Sequence, residues 1–265
     1  MFKFCSLYSG SSGNSLYLEI PNTKILIDAG ESCKKITDAL ASINIDIKEI
    51  DAILITHEHS DHIKGVGTIS KKYNIPVYAN SLTWKSTPMQ HQNIGIENQK
   101  IFDNNKSFTF RNLSIHPFSI PHDASDPCGF NIHYQNSKIS VATDIGHLTN
   151  DIIGNLESSS FILLESNYDP DILKCSSYPY RLKERIAGPY GHLSNISAGK
   201  VISHLLNTGL KRVMLGHLSE ENNFPELAYK TVVNEIIESN NNFDLSSLTI
   251  SVANRYKPSS IINID

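Results

Sequence analysis

Short apolar runs recur along the chain, separated by turn-forming or charged residues, and their spacing predicts alternating strands and helices. Strands are expected at residues 2–8, 16–20, 24–30, 52–55, 75–78, 108–110, 113–118, 129–134, 138–143, 161–167, 212–216, 248–252 and 261–264. Helices are expected from near Ser32, over 63–73, around Trp84, over 196–206 with Ser194 as cap, and from Pro225 to about Glu238. A polar loop is expected up to Lys106, and 168–191 reads as a polar, mobile segment. Residues 91–105 say least, and His91 reads as a surface residue. The small-residue stretch Ser9–Asn14 joins the first two strands. It reads equally as a tight turn or as hydroxyls and N–H groups placed to hold a phosphate.

The apolar run 52–55 delivers Thr56-His57-Glu58-His59-Ser60-Asp61-His62. Three imidazoles and a carboxylate at the mouth of a buried strand need partners, and a metal satisfies them together. Neutral imidazole and carboxylate suit zinc, iron or manganese. On an extended loop His57 and His59 point the same way, and Asp61 and His62 then turn toward a neighbouring point. One loop thus serves two metals. The competing reading is a surface histidine cluster.

The pattern His-x-His-x-Asp-His after a strand resembles the metallo-β-lactamase-fold hydrolases. The resemblance implies an α/β, four-layer αβ/βα sandwich, in which two mixed β-sheets pack face to face with helices outside. Matched residue by residue, it implies that His57, His59 and His122 hold a first metal and that Asp61, His62 and His217 hold a second. Asp144 bridges the two. Each falls at or just beyond an apolar strand. Asp28, at another strand end, is expected to support the histidine loop from behind the ligands, while His133 and His147 are expected to bind no metal. The implied chemistry is attack by a hydroxide held between two divalent ions, most simply zinc, with manganese or iron as alternatives. Asp61 would orient it.

Departures from related patterns narrow the reaction. The bridging Asp144 argues against lactam cleavage. His59, where flavodiiron proteins carry Glu, argues against a redox di-iron role, and no C-terminal helical region for a thiol cofactor is visible. Glu165-Ser166-Asn167 and Gly191-His192-Leu193-Ser194 resemble paired motifs of ribonuclease Z, which implies that His192 protonates the leaving oxygen and that Glu165 orients this imidazole. Together with Ser9–Asn14 and 217–223, these runs look like the YycJ/WalJ subfamily, which is similar to DNA-acting exonucleases. The interval from Asp144 to His217 is too short for an inserted β-CASP domain, so residues 1–265 are expected to form a single domain. Substrate contacts are expected from Ser11, Ser12, Asn14, Asn167, Ser194 and Arg181, with Tyr178, Tyr180 and Arg185 as further candidates. The expected partner is a nucleic acid, DNA first. A small-molecule hydrolase acting on a cyclic phosphodiester or a thioester is the alternative. A non-catalytic regulatory partner is a third reading, disfavoured because no metal ligand is lost.

Composition changes this picture little. The net charge of −4 does not advertise a nucleic-acid binder, although bound metals add positive charge that the count omits. Cys5, Cys33, Cys128 and Cys175 are scattered without a paired motif, which suggests reduced thiols and a cytoplasmic protein. No apolar stretch approaches the roughly 20 residues of a membrane span, and no charged-then-apolar leader is visible.

Overall fold

A computed structural model of the chain describes residues 1–87, 94–239 and 245–265. The reading of His91 lies outside them. Among the described residues, two seven-stranded mixed sheets pack face to face. The first contains β1 (Phe2–Tyr8), β2 (Ser15–Ile20), β3 (Thr23–Ile27), β4 (Ala52–Leu54), β5 (Val77–Asn80) and β6 (Gln99–Phe102). The second contains β7 (Phe108–Phe110), β8 (Leu113–Ser119), β9 (Cys128–Tyr134), β10 (Ser137–Ala142), β11 (Phe161–Glu165), β12 (Arg212–Gly216) and β13 (Thr249–Val252). The last strand, β14 (Ile262–Ile264), returns to the first sheet beside β1. In each sheet antiparallel pairs give way to parallel ones: β3 to β6 run parallel, as do β10 to β13.

The strands read as unbroken apolar runs because both faces of each sheet are covered. Along β3 and β4, Ile25, Ile27, Ala52 and Leu54 enter the core between the sheets, whereas Leu26 and Ile53 face outward. The second sheet does the same: Phe161 and Leu163 point inward, and Ile162 and Leu164 point out. Helices cover the outward faces. Those packed on the first sheet include α1 (Cys33–Ser42) and α3 (Val66–Tyr73), which lie on either side of the short α2 (Ser60–Ile63) in the chain. The outer face of the second sheet is covered by α5 (Asn150–Leu156), α8 (Asn195–Leu205) and α9 (Pro225–Ser239).

Four differences from the sequence reading have physical causes. The helix expected over 63–73 begins at Ser60 and breaks at Gly65, where an added Cβ would lie 2.3 Å from the Glu31 carbonyl oxygen. β6 falls in what reads as a polar loop. It is the edge strand of its sheet, with Lys100 and Ile101 exposed, so it lacks a buried strand's apolar run. The segment 168–191 is largely helical, with α6 (Pro170–Cys175) and α7 (Tyr180–Ala187) closing over a small apolar cluster of Tyr168, Leu173 and Ile186. Finally, α5 went unread. Its seven residues carry only two buried side chains, Ile152 and Leu156, and its start is marked by the Thr149 cap. The helix around Trp84 is α4 (Ser81–Ser86). No helix among the described residues is long and apolar enough to cross a membrane.

Candidate metal centre

The parallel strands of both sheets end at one rim, and the residues singled out from the sequence sit just beyond those ends. Asp28 follows β3, the 56–62 loop follows β4, Asp144 follows β10, Glu165 closes β11 and His217 follows β12. Rims of this kind are where open α/β sheets place their sites. Three of these residues, Asp28, Asp144 and His217, have left-handed backbone, with φ of 59°, 60° and 54°. That conformation reverses the strand's alternation and turns the side chain into the cleft.

Two sets of donors meet there. The rings of His57, His59 and His122 form a triangle with centroids 4.6 to 5.2 Å apart, and their metal-binding atoms converge. Asp61, His62 and His217 form the second set, with Asp61 Oδ2 3.5 Å from His62 Nε2 and 3.7 Å from His217 Nε2. Asp144 lies between them. Its Oδ2 is 3.3 Å from His62 Nε2, and its Oδ1 is 3.6 Å from His122 Nε2.

Partners behind the rings orient them. The Nδ1 of His62 lies 2.8 Å from Asp28 Oδ2, that of His122 lies 3.0 Å from the Gly191 carbonyl, and that of His217 lies 2.9 Å from Glu165 Oε1. A carboxylate or carbonyl at Nδ1 selects the Nδ1–H tautomer and leaves the Nε2 lone pair free to bind. His57 meets the Thr56 hydroxyl at Nδ1. His59 differs, with its Nε2 3.2 Å from the Asp123 carbonyl.

The fit to divalent ions can be judged from atoms left without partners. His57 Nε2, His217 Nε2 and Asp144 Oδ2 are buried and lack hydrogen bonds. Buried polar atoms are rarely left so, and these three belong to the donor groups that converge at the rim. Electrostatics agree. Burial and the charge of neighbouring His62 hold His57 well below the usual histidine range, in the neutral form a metal needs. Burial opposes charge on His62 and His217 as well, but there the carboxylates prevail. Asp61 and Asp28 raise His62, and Asp144, Asp61 and Glu165 raise His217 to about 10. These protons occupy the positions a cation would take. The donor set, all nitrogen and oxygen, fits divalent ions.

His192 stands beside this centre. Its Nδ1 lies 2.8 Å from Glu165 Oε1, the same oxygen that meets His217. Glu165 is fully buried, and its other oxygen accepts the N–H groups of Ile145 and Leu193 at 2.7 and 3.0 Å. Burial resists its ionisation, but the charge and hydrogen bonds of His192 and His217 hold its pKa below the usual glutamate range.

The expected substrate contacts divide. Ser11 and Ser12 are exposed at the hairpin tip, and Arg181 is exposed on α7. Asn14, Asn167 and Ser194 turn inward. The Asn14 amide donates to Asp61 Oδ2 at 3.2 Å, that of Asn167 donates to the His217 carbonyl at 2.7 Å, and the Ser194 hydroxyl caps α8. His133 is exposed, and His147 Nδ1 meets the Pro189 carbonyl, so both lie apart from the donor sets. Sequence reasoning missed three supports. Thr56 bonds Asp28 through both its N–H and its hydroxyl. Glu58 Oε1 accepts the N–H and hydroxyl of Ser125, tying the His122 loop to the first motif. Asp123, next to His122, pairs with Arg185 of α7. None has a marker of its own in the sequence, because each acts through a residue distant along the chain.

A family model described as a β-lactamase superfamily domain matches residues 23–218. The exodeoxyribonuclease WalJ of Streptococcus pneumoniae serotype 2 (strain D39) is 42% identical over 240 residues, which cover 90% of this chain and 89% of that one. The exodeoxyribonuclease YycJ of Bacillus anthracis is 35% identical over 235 residues, 89% of each. Among solved structures, the metallo-β-lactamase fold protein YhfI of Bacillus subtilis superposes with a TM-score of 0.69 at 14% identity, covering 98% of this chain and all of that one. The short form of human tRNase Z superposes at 0.65 with 16% identity and the same coverage. At those identities the structures speak to the fold alone.

Proposed function

The chain belongs to the β-lactamase superfamily, and from that premise we propose that it is a two-metal phosphodiesterase of nucleic acid, an exonuclease acting on DNA. Its similarity to WalJ and YycJ along nine-tenths of its length supports the substrate class. His57, His59 and His122 would hold one ion and Asp61, His62 and His217 the other, with Asp144 between. Zinc is the proposed metal, and manganese or iron also suit these donors. When bound, the ions would supply a water acidified toward neutral pH and positive charge beside the phosphorus.

The chain's own residues do the rest. Asp61, whose Oδ2 faces both His62 and His217, orients the attacking water and receives its proton. His192 gives a proton to the leaving oxygen from Nε2, since its Nδ1 is held by Glu165. The buried Glu165 carboxylate fixes the orientation of the imidazole. One observation carries the reading: a single oxygen of Glu165 joins the proton donor His192 to the metal-facing His217. A shared anchor of this kind suits a reaction that needs both metal-activated attack and protonation of an alkoxide. We further propose that residues 1–265 act as one domain without a β-CASP insertion. We place it in the cytoplasm, in keeping with four free thiols.

The test compares two leaving groups. His192→Ala should slow cleavage of single-stranded DNA by about 10²–10⁴-fold, while hydrolysis of bis-p-nitrophenyl phosphate, whose leaving group needs no proton, changes little. Equal slowing of both would remove the donor role.

A further inference from the structure

Strands β12 and β13 end side by side at the rim that carries the centre. Between the loops that follow them lies a cavity of about 390 Å³, whose lining includes Ser9, Leu218, Phe224, Asn254, Arg255 and Tyr256. This is the low end of the range that holds small ligands, and it suits one nucleoside rather than a length of strand. The cavity adjoins the metal centre directly. Ser9 lines it, and the Ser9 hydroxyl oxygen accepts the N–H of His217 at 2.8 Å.

Two aromatic rings stand open here, Phe224 at 49% and Tyr256 at 65% exposure. Tyr256 is nevertheless pinned. Its hydroxyl donates to Glu220 Oε1, its N–H bonds Asn254 Oδ1 at 2.9 Å, and the Arg255 guanidinium lies 5.9 Å from the ring centroid. Glu220, the acid in the lining, is thereby engaged. Arg255 is held by the Leu218 carbonyl, and its Nη1, buried beneath the hairpin turn, has no hydrogen-bond partner. That nitrogen faces the hairpin turn, 2.7 Å from where a Cβ on Gly10 would sit. Rings held open for stacking next to an unneutralised cation match the two chemistries of a nucleotide, its base and its phosphate.

We propose that this cavity receives the terminal nucleotide of the DNA strand, with its base on Tyr256 and Phe224 and its phosphate drawn by Arg255 and the Ser9–Gly13 turn. The inference rests on the nuclease reading and deepens it, because a pocket that closes after one nucleotide makes a nuclease act from an end. Every base has a π-face, so the subsite accepts all four.

The experiment measures cleavage of a short single-stranded oligonucleotide and of the same strand with an abasic terminal nucleotide, at the 5′ and the 3′ end in turn. Bis-p-nitrophenyl phosphate is the reference substrate. Tyr256→Ala and Phe224→Ala should each raise KM for DNA about tenfold and leave the small ester unaffected. Tyr256→Trp should restore binding. Wild type should lose a similar factor on the abasic end, whereas Tyr256→Ala should lose little more there. Cleavage of DNA by wild type without discrimination against either abasic end would overturn the subsite alone, as would equal loss on DNA and small ester in the alanine variants. Hydrolysis of the small ester with no cleavage of any polymer would overturn the nuclease reading and the subsite with it.

Discussion

At the scale of the residue, the centre depends on side chains that hold other side chains. Asp28 is the clearest case. Its left-handed backbone turns the carboxylate toward Thr56 and His62, where one oxygen meets the His62 ring at 2.8 Å and both meet Thr56. Asn tolerates the same backbone but cannot accept hydrogen bonds through both side-chain atoms. Asp28→Asn should therefore keep the fold and lower metal affinity by about 10–100-fold. Competition with a chelator, alongside circular dichroism, measures both quantities, and unchanged affinity would show that Asp28 does not orient the ligand. The seven proposed donors were legible because each falls where an apolar run stops. The roles of Thr56, Glu58 and Asp123 were not, because a hydrogen bond between residues 28 to 67 positions apart leaves no local pattern.

At the scale of the element, the histidine loop is pressed against the segment after β3 and the first hairpin turn by backbone contact. The N–H of Asn14 bonds the Asp61 carbonyl, and the Ala29 N–H bonds that of His62. Gly30 permits this approach, since a Cβ there would lie 1.6 Å from the Asp61 carbonyl oxygen, and backbone cannot step aside as a flexible side chain does. Gly30→Ala should cost at least about 1–3 kcal/mol, the usual range for overpacking, and disturb metal binding. Gly154, exposed within α5 and with open space around it, provides the contrast. Gly154→Ala should stabilise by about 0.5–1 kcal/mol. Thermal unfolding of the two variants should move in opposite directions, and a stable Gly30→Ala protein would mean that the loop is not packed as described. Elements buried on two sides were readable as apolar runs. Edge strand β6 and the helices α6 and α7 were not, because exposed faces and a small satellite cluster give polar sequences.

At the scale of the whole molecule, stability should fall in acid. Glu19 accepts from the Tyr17 hydroxyl and Lys3, and Glu31 accepts from Lys35 and Lys64. Burial opposes ionisation of both, but these partners hold each pKa below the usual glutamate value. A carboxyl with a depressed folded pKa adds stability above its unfolded value, about 4.3. It loses that stability as the pH falls through the folded one. The unfolding midpoint should thus drop below about pH 4. The gap between wild type and Glu19→Gln should be full at pH 7 and shrink toward pH 3, and a gap independent of pH would exclude Glu19 from this effect.

The doubly buried strands, read as apolar runs, and the donor types at their ends were written in the sequence, because run length and residue chemistry are local properties. What only the tertiary structure decided is which atoms meet. Both sheets had to pack, with their parallel strands ending at one rim, before Asp144 could lie between two histidine sets and one Glu165 oxygen could reach both His192 and His217. The pinned ring of Tyr256 beside Ser9 is of the same kind. Its position follows from the pairing of β12 with β13 and of β14 with β1, long-range contacts that no stretch of sequence specifies alone.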